Sequence, residues 1–435
     1  MSQVNNTASS SNVKSGLKKN LFTICLLAFA GSIIYAMPYF RNYYYNDYMT
    51  VYNLNNMQMG ALGSAYGLLG LVSYFIGGVL ADRFPAKKLL IISLTATGLG
   101  GFLHLVVKSF EGLLILYGLW GFTSLLMFWP PLMKVMRTLG NDDEQSRVYG
   151  IFEGGRGVVN AAHLAIATAI FGFFQAKAAP HLGLNWIIIF YSVCPIVCAI
   201  ILAIILKEPE KQSTEKSESL KLKDIFEVIK MPAVWMVIII TFSTYVYNIS
   251  FYYFTPYASD VIGASAVFAA IIAVLAQYIR PVSSIAGGFL ADKFGKGQTM
   301  LVGFISMALG TVILILVPTV PASTQVALLI FGCTIIYLAM FSNFGIYFSL
   351  LSEGRIPLEK SGVAIGIVST LGYLPEVLCP LVAGKTLDAF AGVKGYHIYF
   401  IGMAVMAAIG AIFCFIWIKK YGNNFNKKTK TQGEI

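Results

Sequence analysis

The chain has 435 residues, of which 57% are apolar and only 12% are charged. Soluble domains carry about 25% charged residues, so this composition excludes a protein whose whole surface faces water. Apolar runs of about 20 residues recur along the chain, a length that suits membrane-spanning helices and not the shorter alternating strands of a barrel. Helices also satisfy their own backbone hydrogen bonds in lipid. We therefore predict an all-α membrane protein.

Twelve apolar segments follow in chain order, six on each side of a charged stretch. The first six occupy 20–44, 56–81, 88–108, 112–137, 147–174 and 185–206. The last six occupy 234–258, 264–292, 299–318, 325–352, 361–389 and 396–419. The predicted organisation is a tail (1–19), a six-helix bundle (20–206), a solvated linker (207–232), a second six-helix bundle (233–419) and a tail (420–435).

Lysine and arginine predict the orientation of these segments. They concentrate in the tails, the linker and the loops on the same side as the N-terminus, and the other side holds little beyond Lys108, Lys177 and Lys394. The positive-inside rule then places both termini in the cytoplasm. The net charge of +11 is interpreted as this topology signal and not as a nucleic-acid surface. Short loops without targeting signals favour a multi-pass protein of a bacterial inner membrane.

Several classes of site are not indicated. The six cysteines lie in apolar segments without CxxC spacing, so we interpret them as buried hydrophobic side chains. The polar first 19 residues do not resemble a cleavable signal peptide. The chain has no nucleophile elbow, HExxH or P-loop, which argues against an enzyme or an ATP-driven pump. We predict no cofactor and no metal, and nothing requires more than a monomer.

The two bundles repeat each other. The sequence Gly-x-Leu-Ala-Asp, followed by a basic residue and Phe, occurs at 78–84 and again 210 residues later at 288–294. A second echo pairs Gly150 with Gly366, at an offset of 216 residues. Two echoes at nearly the same offset indicate an internal duplication. In membrane transporters, such a duplication places the substrate site between the halves near the bilayer midplane.

The two repeated loops resemble the signature of the major facilitator superfamily, and the resemblance covers about Leu21 to Lys420. It implies twelve transmembrane helices in two six-helix halves related by pseudo-two-fold symmetry. Glycines in these loops allow close helix packing, and the aspartates can pair with a base or cap a helix in one access state. The expected conformational switch comprises Gly78, Asp82, Arg83, Gly288, Asp292 and Lys293. The first copy departs from the pattern at Pro85, where the second copy keeps Gly295.

A closer resemblance is to the organophosphate:phosphate antiporters, the sugar-phosphate permease-like branch. It rests on Arg41 after Pro38-Tyr39-Phe40, on Trp129-Pro130-Pro131 followed by Lys134, on Trp235, Tyr245 and Pro256, and on Gly372-Tyr373-Leu374. This resemblance implies that Arg41, Lys134 and Tyr245 contact substrate.

The chain departs from that branch in its basic residues. Asn248 stands where the branch has a second substrate arginine, Arg156 stands where it has a pocket histidine, and Tyr74 stands where it has a lysine. The basic pocket is therefore rearranged. This leaves an organic anion as the expected substrate without selecting a phosphate ester.

Three arginines, Arg41, Arg156 and Arg280, fall inside apolar segments. A charge at mid-bilayer costs at least about 2.5–3.5 kcal/mol, so such residues face the bundle interior and have partners. One interpretation is a clamp that holds a carboxylate or phosphate bidentately. The alternative is structural ion pairing with Glu153 or Glu376.

Those two acids are candidates for proton coupling, with neutralisation of an arginine as the alternative. Glu153 and Arg156 are three residues apart and share a helix face. Gln277 and Asn248 are candidate hydrogen-bonding groups of the pocket. The run of tyrosines at 43–45, with Tyr48, predicts an outer interfacial aromatic belt, and the alternative for some of these rings is that they line the entry.

The sequence thus predicts a secondary transporter that moves a small organic anion (an organic phosphate, sugar acid or carboxylate) by alternating access. A coupling proton or a counter-anion would drive it, and symport and antiport both stay open. One alternative is a proton-coupled importer of an amino acid or neutral solute. A drug efflux pump is less favoured, because the sequence Gly154-Gly155-Arg156-Gly157 lacks the proline of that class.

Overall fold

The computed structural model describes residues 16–136, 138–139, 145–207, 222–357 and 360–422. Within these ranges it describes side chains except at 16, 72–83, 145–147, 222–224 and 361–362. The regular structure in the described ranges is helical throughout.

The N-terminal half contains eight helical pieces. They are α1 (Gly16–Tyr43), α2 (Tyr45–Tyr52), α3 (Asn56–Arg83), α4 (Ala86–Val106), α5 (Phe110–Trp120), α6 (Trp129–Met136), α7 (Gln145–Gln175) and α8 (Pro180–Ile205). A short helix, α9 (Leu222–Ile229), precedes the C-terminal half. The C-terminal half contains α10 (Pro232–Ser250), α11 (Phe254–Ile262), α12 (Ala266–Phe294), α13 (Lys296–Leu316), α14 (Ala322–Ile346), α15 (Leu350–Glu353), α16 (Ser361–Gly372), α17 (Pro375–Ala389) and α18 (Val393–Tyr421).

These pieces form the twelve expected spans. Eleven stretches of the described chain are long and apolar enough to cross a membrane, four of them built from two consecutive helices. The twelfth is α3, whose 28 residues also suffice at about 1.5 Å per residue. The all-α fold with twelve membrane helices is therefore confirmed. The central part of the predicted linker, 208–221, and most of both tails lie outside the described residues.

Four spans are interrupted, and prolines account for three of these breaks. A proline has no N–H to donate to the carbonyl four residues earlier, and its ring crowds that carbonyl. Pro130 thus follows a π-helical turn at Gly121–Leu126, and Pro256 follows a 3₁₀ turn at Phe251–Tyr253. Pro375 begins α17 after α16 has ended at Gly372. Such interrupted helices commonly build the central site of a transporter.

The two halves pack tightly at one face of the bundle. We call the face where α1 begins and α18 ends the terminal face, and the other the distal face. Near the distal face, a Cβ at Gly60 would lie too close to the backbone of Pro380, and one at Gly384 too close to the backbone of Asn56. The backbones of α3 and α17 approach so closely where they cross that only glycine, which has no Cβ, fits at these two positions.

Two aspartates of the C-terminal half hold this distal closure. Asp388 accepts hydrogen bonds from the backbone N–H of Asn56 (3.1 Å) and of Met57 (2.8 Å), at the first turn of α3. Asp260 accepts one from Asn46 of the N-terminal half (2.6 Å) and one from Tyr396 of its own half (2.6 Å).

The terminal face is open between the halves. Gly150 and Gly154 on α7, Gly288 on α12 and Gly366 on α16 have open space where a Cβ would point. The repeat-related pair Gly150 and Gly366 therefore occupies equivalent unpacked positions in the two halves. The structure has a closed distal face and a central space that opens toward the terminal face.

Candidate functional site

A cavity of about 210 Å³ lies between the two halves. Helices α1, α3 and α7 contribute to its wall from the N-terminal half, and α10, α12, α14 and α17 contribute from the C-terminal half. Most of its lining is aromatic or uncharged polar. The lining contains two basic residues, Arg156 and Arg280, and one acidic residue, Glu376.

Arg156 on α7 is fixed by several contacts. Its Nη1 lies 2.9 and 3.0 Å from the two carboxylate oxygens of Glu153, and its Nε donates to the Gly31 carbonyl of α1 (3.0 Å). The guanidinium lies over the ring of Trp129, 5.0 Å from its centroid. The ion pair anticipated from the three-residue spacing is thus present. The Arg156 side chain is 15% exposed and that of Glu153 is 55% exposed, so the pair opens toward the terminal side of the cavity.

Arg280 on α12 has a different environment. Its guanidinium lies between the rings of Phe341 and Phe344, 5.6 and 5.5 Å from their centroids. It makes no hydrogen bond or ion pair with any residue that the structure describes. A cation over aromatic faces retains its N–H donors for a ligand. Arg280 is therefore a charged donor group available to an anion in the cavity.

Glu376 lies in the first turn of α17 and connects the two halves. Tyr39 of α1 donates to one carboxylate oxygen, and Tyr245 of α10 donates to the other (2.6 Å). Tyr245 stacks on Tyr373 with ring centroids 4.4 Å apart. Because Tyr39 belongs to the N-terminal half and Glu376 to the C-terminal half, their hydrogen bond must break if the halves separate here.

Arg41 lies outside the central cavity. It lines an adjoining space of about 20 Å³ that also contacts Glu376 and Pro380. Arg41 is 5% exposed, and its Nε has no hydrogen-bond partner among the described residues. Its guanidinium carbon lies 5.2 Å from the ring centroid of Tyr117.

A polar network on α7 contributes to the opposite part of the wall. Asn160 accepts from the hydroxyl of Ser32 on α1 (2.5 Å), and its Oδ1 also contacts Nε2 of His163 (3.2 Å). The other ring nitrogen of His163 contacts the hydroxyl of Tyr191 (3.0 Å). His163 is buried, and both of its ring nitrogens are hydrogen-bonded to neutral groups, as expected of a buried polar side chain.

The structure brings most of the predicted pocket residues together. Arg156, Arg280, Asn248, Tyr245 and Gln277 line the central cavity, together with the acid Glu376. The amide of Gln277 reaches the hydroxyl of Tyr43 (3.4 Å).

The other predicted pocket residues lie elsewhere. Lys134 lies on α6, beyond Trp129 in the direction of the terminal face, and Arg41 lies in the adjoining space, so neither lines the central cavity. Glu153 is not among the lining residues of the cavity, but it forms an ion pair with Arg156, which is.

The second copy of the predicted switch is described in full. Asp292 and Lys293 are exposed at the end of α12, and Asp292 makes no ion pair within the described part of the chain. The neighbouring Lys296 instead donates to the carbonyl of Ser349 (2.8 Å). In the first copy, Gly78, Asp82 and Arg83 lie in the part of α3 whose side chains the structure does not describe. The switch role of both copies stays a prediction.

The predicted aromatic belt is wrong. Tyr43, Tyr44, Tyr45 and Tyr48 are all at most 5% exposed. The reason is that α2 follows α1 after a break at Tyr44 and contacts α8 and α11, so the rings around this break pack inside the bundle. The hydroxyl of Tyr48 contacts Nε2 of the fully buried His104 (2.7 Å), which also bonds Tyr52 through Nδ1.

Sequence reasoning missed the tyrosine wall of the cavity. Tyr35, Tyr39 and Tyr43 all line it from α1. Residues four apart lie on one helix face, so the spacing of these three tyrosines could have predicted that they share one surface of α1. Tyr66, Tyr252 and Tyr373 lie on other helices, and their convergence depends on how those helices pack.

Two six-span halves with a cavity between them form the architecture of a membrane transporter. The family model for the major facilitator superfamily matches residues 20–380. The chain belongs to the major facilitator superfamily, and it is a multi-pass membrane transporter.

Relatives and solved structures agree with this assignment. The chain is 27% identical to inner membrane protein YihN of Escherichia coli K12 over 409 residues, covering 93% of this chain and 96% of that protein. A probable nitrate transporter NarT of Staphylococcus haemolyticus is 32% identical over 139 residues, 32% of each chain. The solved structure of the nucleoside transporter NupG, at 15% identity, covers 93% of this chain and 99% of its own with a TM-score of 0.73. The last similarity shows the fold alone.

Proposed function

We propose that the protein is a secondary transporter of a small organic anion, working by alternating access. The observation that carries the proposal is Arg280, a cation in the cavity wall without a partner among the described residues. A partly buried guanidinium that lacks a partner among the described residues is costly within the membrane, and an anionic ligand is the partner that would compensate it. Arg156 lines the same cavity from the other half. An anion bound to Arg280 beside Arg156 would contact both halves.

The orientation follows from the charged loops. With both termini in the cytoplasm, the terminal face is cytoplasmic, and the open cavity is then accessible from the inside. Breaking the Asp388, Asp260 and Tyr39 contacts would open the distal, outer face. Opening that face and closing the terminal one would complete the exchange of access.

Glu376 is our candidate for a coupling proton. Its carboxylate is held by Tyr39 from one half and by Tyr245 from the other. Protonation removes the negative charge that these hydroxyls stabilise, so it weakens the tie between halves. Glu153 is the less favoured candidate, since it is more exposed and bonded to Arg156.

A second candidate function is import of a neutral solute or amino acid with a proton. The lining favours it in one respect, because uncharged donors and acceptors such as Asn160, Asn248 and Gln277 outnumber charged groups. In that case Arg280 would hold only the carboxylate of an amino acid, or no ligand charge at all.

A thermal-shift screen of the purified full-length protein separates these proposals. The probes are organic phosphates, sugar acids, dicarboxylates, amino acids and neutral sugars. A ligand that binds only the folded state, present at 100 times its Kd, stabilises by about 2.7 kcal/mol. We expect an anion to raise Tm in the wild type and equally in Arg355→Gln, an exposed control, but to raise it less in Arg280→Gln. Stabilisation by neutral solutes alone would refute anion transport.

A further inference from the structure

The charges in and beside the cavity can be counted. Three guanidinium groups and two carboxyl groups meet there: Arg41, Arg156, Arg280, Glu153 and Glu376. Resting on the proposed function, we infer that the substrate is a monoanion, such as a monocarboxylate or sulfonate, and that Glu153 determines this charge selectivity by occupying Arg156.

The first opposite-charge pair is Arg156 with Glu153. Both carboxylate oxygens of Glu153 contact Nη1 of Arg156, and the guanidinium is further fixed by Gly31 and Trp129. The carboxylate therefore neutralises Arg156 at the cavity. A second negative group on the substrate would have to displace Glu153 or lie beside it, and like charges at this distance repel.

The second pair is Arg41 with Glu376. A Cβ at Gly63 would lie 2.7 Å from Nη2 of Arg41, and one at Gly67 would lie 2.6 Å from Cγ of Glu376. These glycines are four residues apart on one face of α3, so the two side chains pack against successive turns of the same helix face. Both also line the space of about 20 Å³, which is large enough for one water molecule between them. Their charges offset each other.

Arg280 is then the excess charge. The other titratable groups facing the cavity are tyrosines and His163, and the ring nitrogens of His163 are bonded to the neutral Tyr191 and Asn160. With both glutamates ionised, the count leaves one positive charge. A monoanion neutralises it, whereas a dianion such as a phosphate monoester or a dicarboxylate leaves an uncompensated negative charge away from water.

The remaining wall indicates what surrounds the charged group of the substrate. Hydroxyl and amide groups of Tyr35, Asn160, Asn248, Tyr252 and Gln277 line it beside aromatic rings. Such groups hydrogen-bond hydroxyls, and rings pack on the C–H faces of a sugar or on a planar body. A hydroxylated or aromatic monoacid fits this lining.

The test uses matched probes that differ by one carboxylate: gluconate and glucarate, benzoate and phthalate, lactate and malate. Their binding to the purified full-length protein is measured at pH 8, where all are ionised, in the wild type and in Glu153→Gln. Glu111→Gln, an exposed residue at the start of α5, is the control for the chemical change. Glu153→Ala is a second variant without a polar side chain.

We expect the wild type to bind a monoanion at least tenfold more tightly than its dianion partner. Glu153→Gln and Glu153→Ala should bind that dianion at least tenfold more tightly than the wild type does, and Glu111→Gln should not. A dianion that binds the wild type as tightly as its partner would overturn this inference and leave anion transport in place. If no anion of either charge binds the wild type, both the inference and the proposed function fail.

Discussion

Arg156 and Arg280 come from opposite halves of the bundle and line one cavity, but only Arg156 has a carboxylate partner in the described part of the chain. This asymmetry distinguishes their roles. Arg156 is already neutralised by Glu153 on its own helix, whereas Arg280 rests on Phe341 and Phe344 with its donors unused.

Replacement of Arg280 should therefore weaken anion binding without unfolding the protein. Arg280→Gln removes charge-assisted hydrogen bonds worth about 1.5–3 kcal/mol, which corresponds to roughly a 10- to 100-fold loss of affinity. Its ligand-free Tm should stay the same or rise, because the substitution removes a partly buried charge that has no partner among the described residues. Titration calorimetry and a thermal melt measure the two effects. A large fall in ligand-free Tm would instead indicate a structural role for Arg280.

Tyr39 and Tyr245 offer a matched pair of substitutions, because each donates one hydrogen bond to Glu376. Tyr39→Phe breaks a bond between the halves, and Tyr245→Phe breaks one within a half. We expect both to lower Tm by a similar amount, and only Tyr39→Phe to increase labelling from the distal side. A membrane-impermeant thiol reagent on Asn248→Cys, in a variant lacking the native cysteines, provides the readout. Equal labelling of the two variants would show that the hydrogen bond between Tyr39 and Glu376 does not hold the distal face closed.

Asp388 should hold the distal face closed. Asp388→Asn removes a charged acceptor from the first turn of α3, where capping is worth about 0.5–2 kcal/mol. The expected result is a lower Tm and a larger population open at the distal face, measured as increased labelling of the same cavity cysteine. Glu111→Gln serves as the exposed control. Unchanged labelling would show that the closure does not depend on this carboxylate.

His104 is expected to act in stability alone. It is fully buried, its two nitrogens contact Tyr48 and Tyr52, and its ring stacks on Trp120. His104→Ala removes the hydrogen-bond partner of Tyr52 and one of the two partners of Tyr48, and it leaves a cavity, which together cost about 3–5 kcal/mol. His181→Ala, at an exposed position, should change little. Thermal melts compare the two variants, and ligand affinity of the folded His104→Ala protein should match the wild type.

The sequence predicted the spans well because lipid imposes a length and an apolar composition on each of them. The interruptions were harder to place. Pro130, Pro256 and Pro375 are visible in the sequence, but whether proline kinks, unwinds or divides a membrane helix depends on neighbouring helices.

The charged part of the candidate site was predictable, together with the polar residues Asn248, Gln277 and Tyr245, which also line the cavity. Arg156, Arg280 and Glu376 are conspicuous in apolar segments, and all three line the cavity. Arg41 is equally conspicuous, yet it lies in the adjoining space, because its position depends on how closely α3 and α17 approach at Gly63 and Pro380. Sequence spacing describes one helix at a time and does not give such a crossing.

The central claim is that Arg280 binds the transported anion. The direct measurement is uptake, into proteoliposomes containing the full-length protein, of the anion that most stabilises the wild type. We predict saturable uptake by the wild type and by Arg355→Gln, and uptake reduced at least tenfold in Arg280→Gln at equal incorporation. Undiminished uptake by Arg280→Gln would contradict the claim and leave Arg280 without a role in substrate binding.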